Sequence, residues 1–274
     1  MSTSNTTTTP RWRTIVFWLL LATLLFLYLG DRPQQLLFIV TAFGDVGELA
    51  SHEMHMFAQG VFAWTVIAAV LANLRRPEQQ VGAAWTYGFS TVLAFTLVVT
   101  LADLPAEVVP ILTAAIVVAV LAFFAHPSSL RAKVTSTARP SPALALLVLL
   151  AAIPLVTYAV GQLSIHASSG PGDEHFQFGH WIIMAVSAIV PIALGLLAAA
   201  KVSGWRFPLW VSGLMVVALG IGSLGITAVS RFDPMWALLA IGWGLGFIAV
   251  GEVEARRGAP TSSIEDDPSR HPVP

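Results

Sequence analysis

The chain reads as long apolar runs separated by short polar segments. A helix needs about 17–25 apolar residues to cross the hydrocarbon core of a bilayer, and eight such spans fit: 14–30, 56–74, 81–101, 106–125, 142–161, 178–200, 207–228 and 234–252. The pattern predicts an all-α protein, a polytopic integral membrane helical bundle of eight transmembrane helices with no room for a separate soluble domain. The segments 1–13 and 258–274 carry no apolar period and are read as disordered ends. Arg11, Trp12 and Arg13 before the first span resemble the start of a secretory signal, but no convincing small-residue cleavage site follows Gly30, so a retained first helix is expected.

Composition agrees with this pattern. Hydrophobic residues make up 56% of the chain and charged ones 11%, with a mean hydropathy of +0.77, against about a quarter charged in an ordinary soluble domain. The absence of cysteine removes thiol redox chemistry, disulfides and thiolate ligands.

Charge placement predicts an orientation. Arg11, Arg13, Arg75, Arg76, Arg131, Lys133, Arg139, Lys201, Arg206, Arg256 and Arg257 all fall on one side of the eight spans. The positive-inside rule makes that side cytoplasmic, which gives a multi-pass protein of the cell membrane with both termini inside. The other side holds Arg32 and Arg231 and collects Asp31, Asp45, Glu48, Glu53, Asp103, Glu107, Asp173, Glu174 and Asp233. Glu252 and Glu254 beside Arg256 and Arg257 read as an inner-end ion pair. Trp181, Trp205, Trp210 and Trp236 near span ends read as an aromatic belt.

The long inner connection 126–141 divides the chain into halves, 14–125 and 142–257, each with a helix out, a long outer segment and three further helices. Two parallel four-helix repeats would explain this plan. Glycines crowd the last three spans (Gly195, Gly213, Gly220, Gly222, Gly225, Gly242, Gly244, Gly246), where small residues let helices approach closely.

The candidate chemistry lies in the two outer segments, 45–59 and 166–180, which hold His52, His55, His166, His175 and His180, five of the seven histidines. Asp45, Glu48, His52, His55 and Gln59 are spaced 3, 4, 3 and 4, so on a helix they share a stripe of roughly 80°. In the second segment Gly170-Pro171-Gly172 breaks the chain, Asp173 suits an N-cap, and Asp173, Gln177 and His180 follow at i, i+4 and i+7. Two facing stripes supply the ligand spacing with which bundles hold metals: His52, His55, His180, Glu48 and Asp173 are the first candidates. Asp45, His175 and His166 come second, because His175 points away from Asp173 and His180 on an ideal helix and His166 is expected in a loop. Glu53 and Glu174 are candidates to move protons. Asp103 and Glu107 read as solvated turn residues. A single stripe of this kind is also what an interfacial amphipathic helix shows; two on one face point to a site.

Histidine with carboxylate suits zinc, iron or manganese, and Met54, Met56 and Met184 nearby suit copper, so copper or iron ranks ahead of zinc and haem stays open. The span centres hold no ionisable carboxylate, base or histidine, which disfavours a proton-driven carrier. Lys133 and Lys201 lie at the inner side, which excludes a retinal protein. The histidines sit at one depth, unlike a cytochrome that carries electrons across the bilayer. No phosphate loop, nucleophile elbow or zinc-protease helix is present, and nothing points to nucleic acid. The expectation is a metal-dependent membrane oxidoreductase or hydrolase acting on a lipid-soluble or extracytoplasmic substrate. A protein that binds and hands on metal or haem, and a non-catalytic assembly subunit of a membrane complex, are the alternatives.

Overall fold

The computed structural model describes residues 10–30, 33–44, 52–128, 135, 139–226 and 230–257. Among these the protein is helical with no strand, and eight helices are long and apolar enough to cross a membrane: α1 (Arg11–Leu29), α2 (Glu53–Ala72), α3 (Val81–Leu101), α4 (Val108–Ala125), α5 (Pro142–Ser168), α6 (His180–Ala199), α7 (Arg206–Gly225) and α8 (Pro234–Arg257). Most bounds fall within three residues of the sequence expectation. The ends 1–9 and 258–274, read as disordered, lie outside the described residues, as do Asp45 and Glu48.

Three helices are corrected by the structure; the eighth runs five residues past 252, to Arg257. The fifth runs seven residues past 161, because Gln162 and His166, which look like the polar end of a span, are buried. The His166 ring hydrogen-bonds the Leu101 carbonyl at 2.9 Å, so it sits in a helix rather than a loop. The sixth does not continue back through 173–178. Gly179 takes a left-handed conformation (φ 65°) between a one-turn helix, Glu174–Gln177, and α6. Glycine has no Cβ to penalise that conformation.

The helices alternate in direction, so one end of the bundle gathers the loops before α2, α4, α6 and α8, and the other gathers those before α3, α5 and α7. The most enclosed spans are α2 and α6, each 72% buried across its apolar window, against 17% for α4. They occupy corresponding places in the two halves. Around them α1, α4, α5 and α8 turn large apolar side chains outward, including Leu19, Phe26, Leu149, Ile153, Leu238 and Leu245. Such a surface matches the eight apolar helices in suggesting a multi-pass membrane protein.

In a bilayer, where lipid tails are as apolar as leucine, close backbone approach is what holds helices together, and this chain has such approaches. At the α7–α8 crossing a Cβ on Gly244 would lie 2.5 Å from the Gly213 carbonyl oxygen, and one on Gly220 2.6 Å from that of Ala237. Gly242 and Gly246 face open space and play no such part. The end opposite the histidines is tied by polar contacts. His126, fully buried, bonds Asn73 and Ser128, and Arg13 donates to the Phe124 and His126 carbonyls, fastening α1 to α4. The carboxylates of α8 do form ion pairs, but with residues outside it: Glu252 with Arg206 of α7, while accepting a hydrogen bond from the Trp210 indole, and Glu254 with Lys201, just past α6, at 2.8 Å.

Candidate metal centre

His52 stands at the N-cap of α2 and His55 one turn inside it, while His180 opens α6. Asp173 caps the turn between α5 and α6 as its sequence suggests, its carboxylate accepting from the His175 backbone N–H at 2.7 Å. The same oxygen takes a hydrogen bond from His175 Nδ1 at 3.1 Å. The break at Gly179 frees this turn from the helical register of α6. His175 therefore faces His180 rather than away from it, which corrects the ideal-helix expectation.

The result is a cluster of four imidazoles. His52 and His175 stack with centroids 4.3 Å apart and planes at 2°, and His180 meets His52 edge-on at 5.0 Å. One ligand nitrogen from each of His52, His175 and His180 lies within 4.8 Å of the other two. A Zn–N bond of about 2.1 Å at tetrahedral angles sets nitrogens roughly 3.4 Å apart, so closing on an ion requires the parallel pair to splay by small rotations. Asp173 on Nδ1 selects the His175 tautomer that presents Nε2, the carboxylate–histidine arrangement that orients metal ligands. Asp173 thus reaches the group through His175.

His55 lies against the same rings, 5.0 Å from His175 and 5.3 Å from His180, but outside the three-nitrogen group. Its Nε2 is hydrogen-bonded to Ser230 Oγ at 2.7 Å, and its Nδ1 is buried with no hydrogen-bond partner among the described residues. Trp181 closes the inner side, stacked on His175 at 5.1 Å and edge-on to His55 at 4.9 Å. Ser230 also accepts the Tyr158 hydroxyl on its carbonyl, so one residue ties α2 and α5 to the α7–α8 connection.

Burial lowers the His52 pKa, helped by the neighbouring His175, against the opposing pull of Glu174 and Asp173. Such a ring is neutral near pH 7 and offers a lone pair. For Asp173, burial acts upward and is outweighed by the hydrogen bonds from the His175 backbone and ring, which hold the carboxyl below its usual range.

The remaining candidates are placed as follows. Glu174 is exposed, with an oxygen 3.9 Å from His52 Nε2. Glu53 is half-buried on the first turn of α2. His166 stacks on Phe176 rather than joining the four rings, and Gln177 turns to the Pro171 carbonyl. Asp103 and Glu107 are exposed. Met54 and Met184 are core residues, whereas Met56 lines a cavity that His52 and His180 also line. Sequence reasoning missed Trp181 and Ser230. Trp181 follows His180 directly, a usable signal, while nothing local marks Ser230, 175 residues from its histidine partner.

Compared with family models, with curated proteins and with solved structures, the chain matches none.

Proposed function

We propose that His52, His175 and His180 hold one transition-metal ion at the extracytoplasmic face of the cell membrane, and that this centre performs redox or hydrolytic chemistry there. The observation that carries the reading is the Asp173 clamp on His175 beside two further imidazoles. A carboxylate that fixes one ring nitrogen and aims the other is the second layer of a metal site. The clustering of Arg and Lys at the opposite end supports an orientation with both termini cytoplasmic.

Three nitrogens with no sulfur donor suit copper, zinc or iron. Three protein ligands leave a coordination position for water or a substrate oxygen, which the ion polarises or whose oxidation it supports by changing valence. Glu174, near His52 and open to water, is placed to move a proton. A second reading, a protein that captures an ion and passes it on, is favoured by the half-buried state of all three histidines, which leaves the ion able to exchange.

The test is elemental analysis with an optical spectrum on detergent-purified protein. Near-stoichiometric copper, iron or zinc, lost in a His52→Ala, His175→Ala variant that still elutes as one species, is the expected result. Metal-free wild type, prepared without chelator and after incubation with each ion, overturns the proposal and favours an assembly role. Bound metal with no turnover of any substrate, alongside metal-dependent uptake or resistance in cells, selects the handling protein.

A further inference from the structure

Resting on the metal reading of the site, we infer that its substrate is a neutral, lipid-soluble amphiphile, a long apolar chain ending in a hydroxyl or carbonyl head, which enters with its chain toward the bilayer interior. A cavity of about 550 Å³ adjoins the histidines, within the range of small-molecule sites. It is lined from α1, α2, α3, α4 and α6, with Gln34 and Phe38 from the segment between α1 and α2 and Glu174 and Phe178 from the turn before α6. Along α2 its lining extends from His52 to Ala63, roughly 16 Å at 1.5 Å per residue.

Polarity along the cavity is weighted to the histidine end; Tyr28, which lines it beside Phe95, has its hydroxyl hydrogen-bonded to Thr91 at 3.0 Å. Gln34, His52, Glu174 and His180 lie at the histidine end, with Gln59 two turns further along α2. The deep part is made by Phe62, Ala63, Phe95, Leu112 and Ala115. An apolar chain matches the deep part, and a head with an oxygen donor matches the two amides and the open position of a metal on His52 and His180.

The choice of a neutral head follows from charge. Among the described residues lining the cavity there is no lysine or arginine, and Glu174 is the one carboxylate. A phosphate or carboxylate head needs a cationic fork or its equivalent. The helix N-termini at this end attract an anion only weakly and at short range, less than the cost of taking an unpaired charge out of water. Arg32 lies outside the described residues and is therefore part of the test.

The experiment uses metal-loaded full-length protein in phosphatidylcholine vesicles and two photoreactive probes of equal chain length, one a primary alcohol and one a carboxylic acid, each with a diazirine at mid-chain. The alcohol is expected to label 59–63 and 111–115 at least tenfold more than the acid, and Arg32→Gln to leave that preference unchanged. Leu112→Trp, at a half-buried position with room for a larger ring, should abolish the labelling while the metal content stays at the wild-type level. Gln59→Leu should weaken labelling, again with metal retained. Equal labelling by the acid overturns the neutral head, and labelling indifferent to Leu112→Trp places the probe on the outer surface and overturns the cavity. Metal-loaded protein that takes up neither probe overturns this inference alone. Protein that takes up no metal after incubation with each ion yet still labels overturns the metal centre and leaves the apolar ligand standing.

Discussion

Asp173 decides what His175 can offer, because a ring whose Nδ1–H is held by a carboxylate presents Nε2 in one orientation with enhanced basicity. Asp173→Asn keeps the shape and removes the charge, so metal affinity is expected to fall by about 10- to 100-fold, read by competition with a chelator of known strength, with folding unchanged. Ser230 acts on His55 in a different way. Ser230→Ala leaves a buried imidazole nitrogen without its partner, which costs about 1–3 kcal/mol; thermal unfolding in detergent should show the loss while metal stoichiometry persists. At this scale the sequence was informative about residue types and poor about directions. His52, His180 and the Asp173 cap are legible from spacing, whereas the place of His175 depends on one left-handed glycine, and helical geometry applied across Gly179 sends that ring the wrong way.

At the scale of elements, glycine content alone does not tell a packing position from a lipid-facing one. Gly244 meets the Gly213 carbonyl and Gly242 meets nothing, although both sit in the same helix two residues apart. Gly244→Ala is expected to destabilise by about 1–3 kcal/mol, since α7 has to move away. Gly242→Ala is expected to stabilise by about 0.5–1 kcal/mol through the lower backbone entropy of alanine. Opposite shifts in melting temperature in detergent would establish the α7–α8 crossing; equal shifts would remove it. Helix existence was readable from hydropathy because lipid demands runs of fixed length. The end of α5 was not, because Gln162 and His166 look like a span end until their burial is known, and the partner of His166 lies on α3.

For the whole molecule, the lack of cysteine makes topology directly measurable. Ser169→Cys, in the loop before α6, should react with a membrane-impermeant thiol reagent on intact cells, and Ser203→Cys, in the loop before α7, only after permeabilisation. The reverse result would place the histidine end in the cytoplasm and contradict the orientation taken from the Arg and Lys positions. The alternation of helices was legible from the sequence, but the enclosure of α2 and α6 at the centre was not, because their mean hydropathies, 1.6 and 2.5, do not rise above the 1.7 to 2.8 of the peripheral spans.

The cluster also has a place in time as well as in space. Its histidines come from residue 52 and from residues 175 and 180, and the serine that seats His55 is residue 230. As the chain leaves the ribosome, His52 emerges while the rings it will meet, His175 and His180, are still untranslated. A nascent chain cut anywhere before α6 exposes an α2 face meant for a later helix and owns one end of a site without the other. On the metal reading proposed above, loading with an ion would therefore be a late event in biogenesis, one that reports completion of the bundle rather than of any single helix.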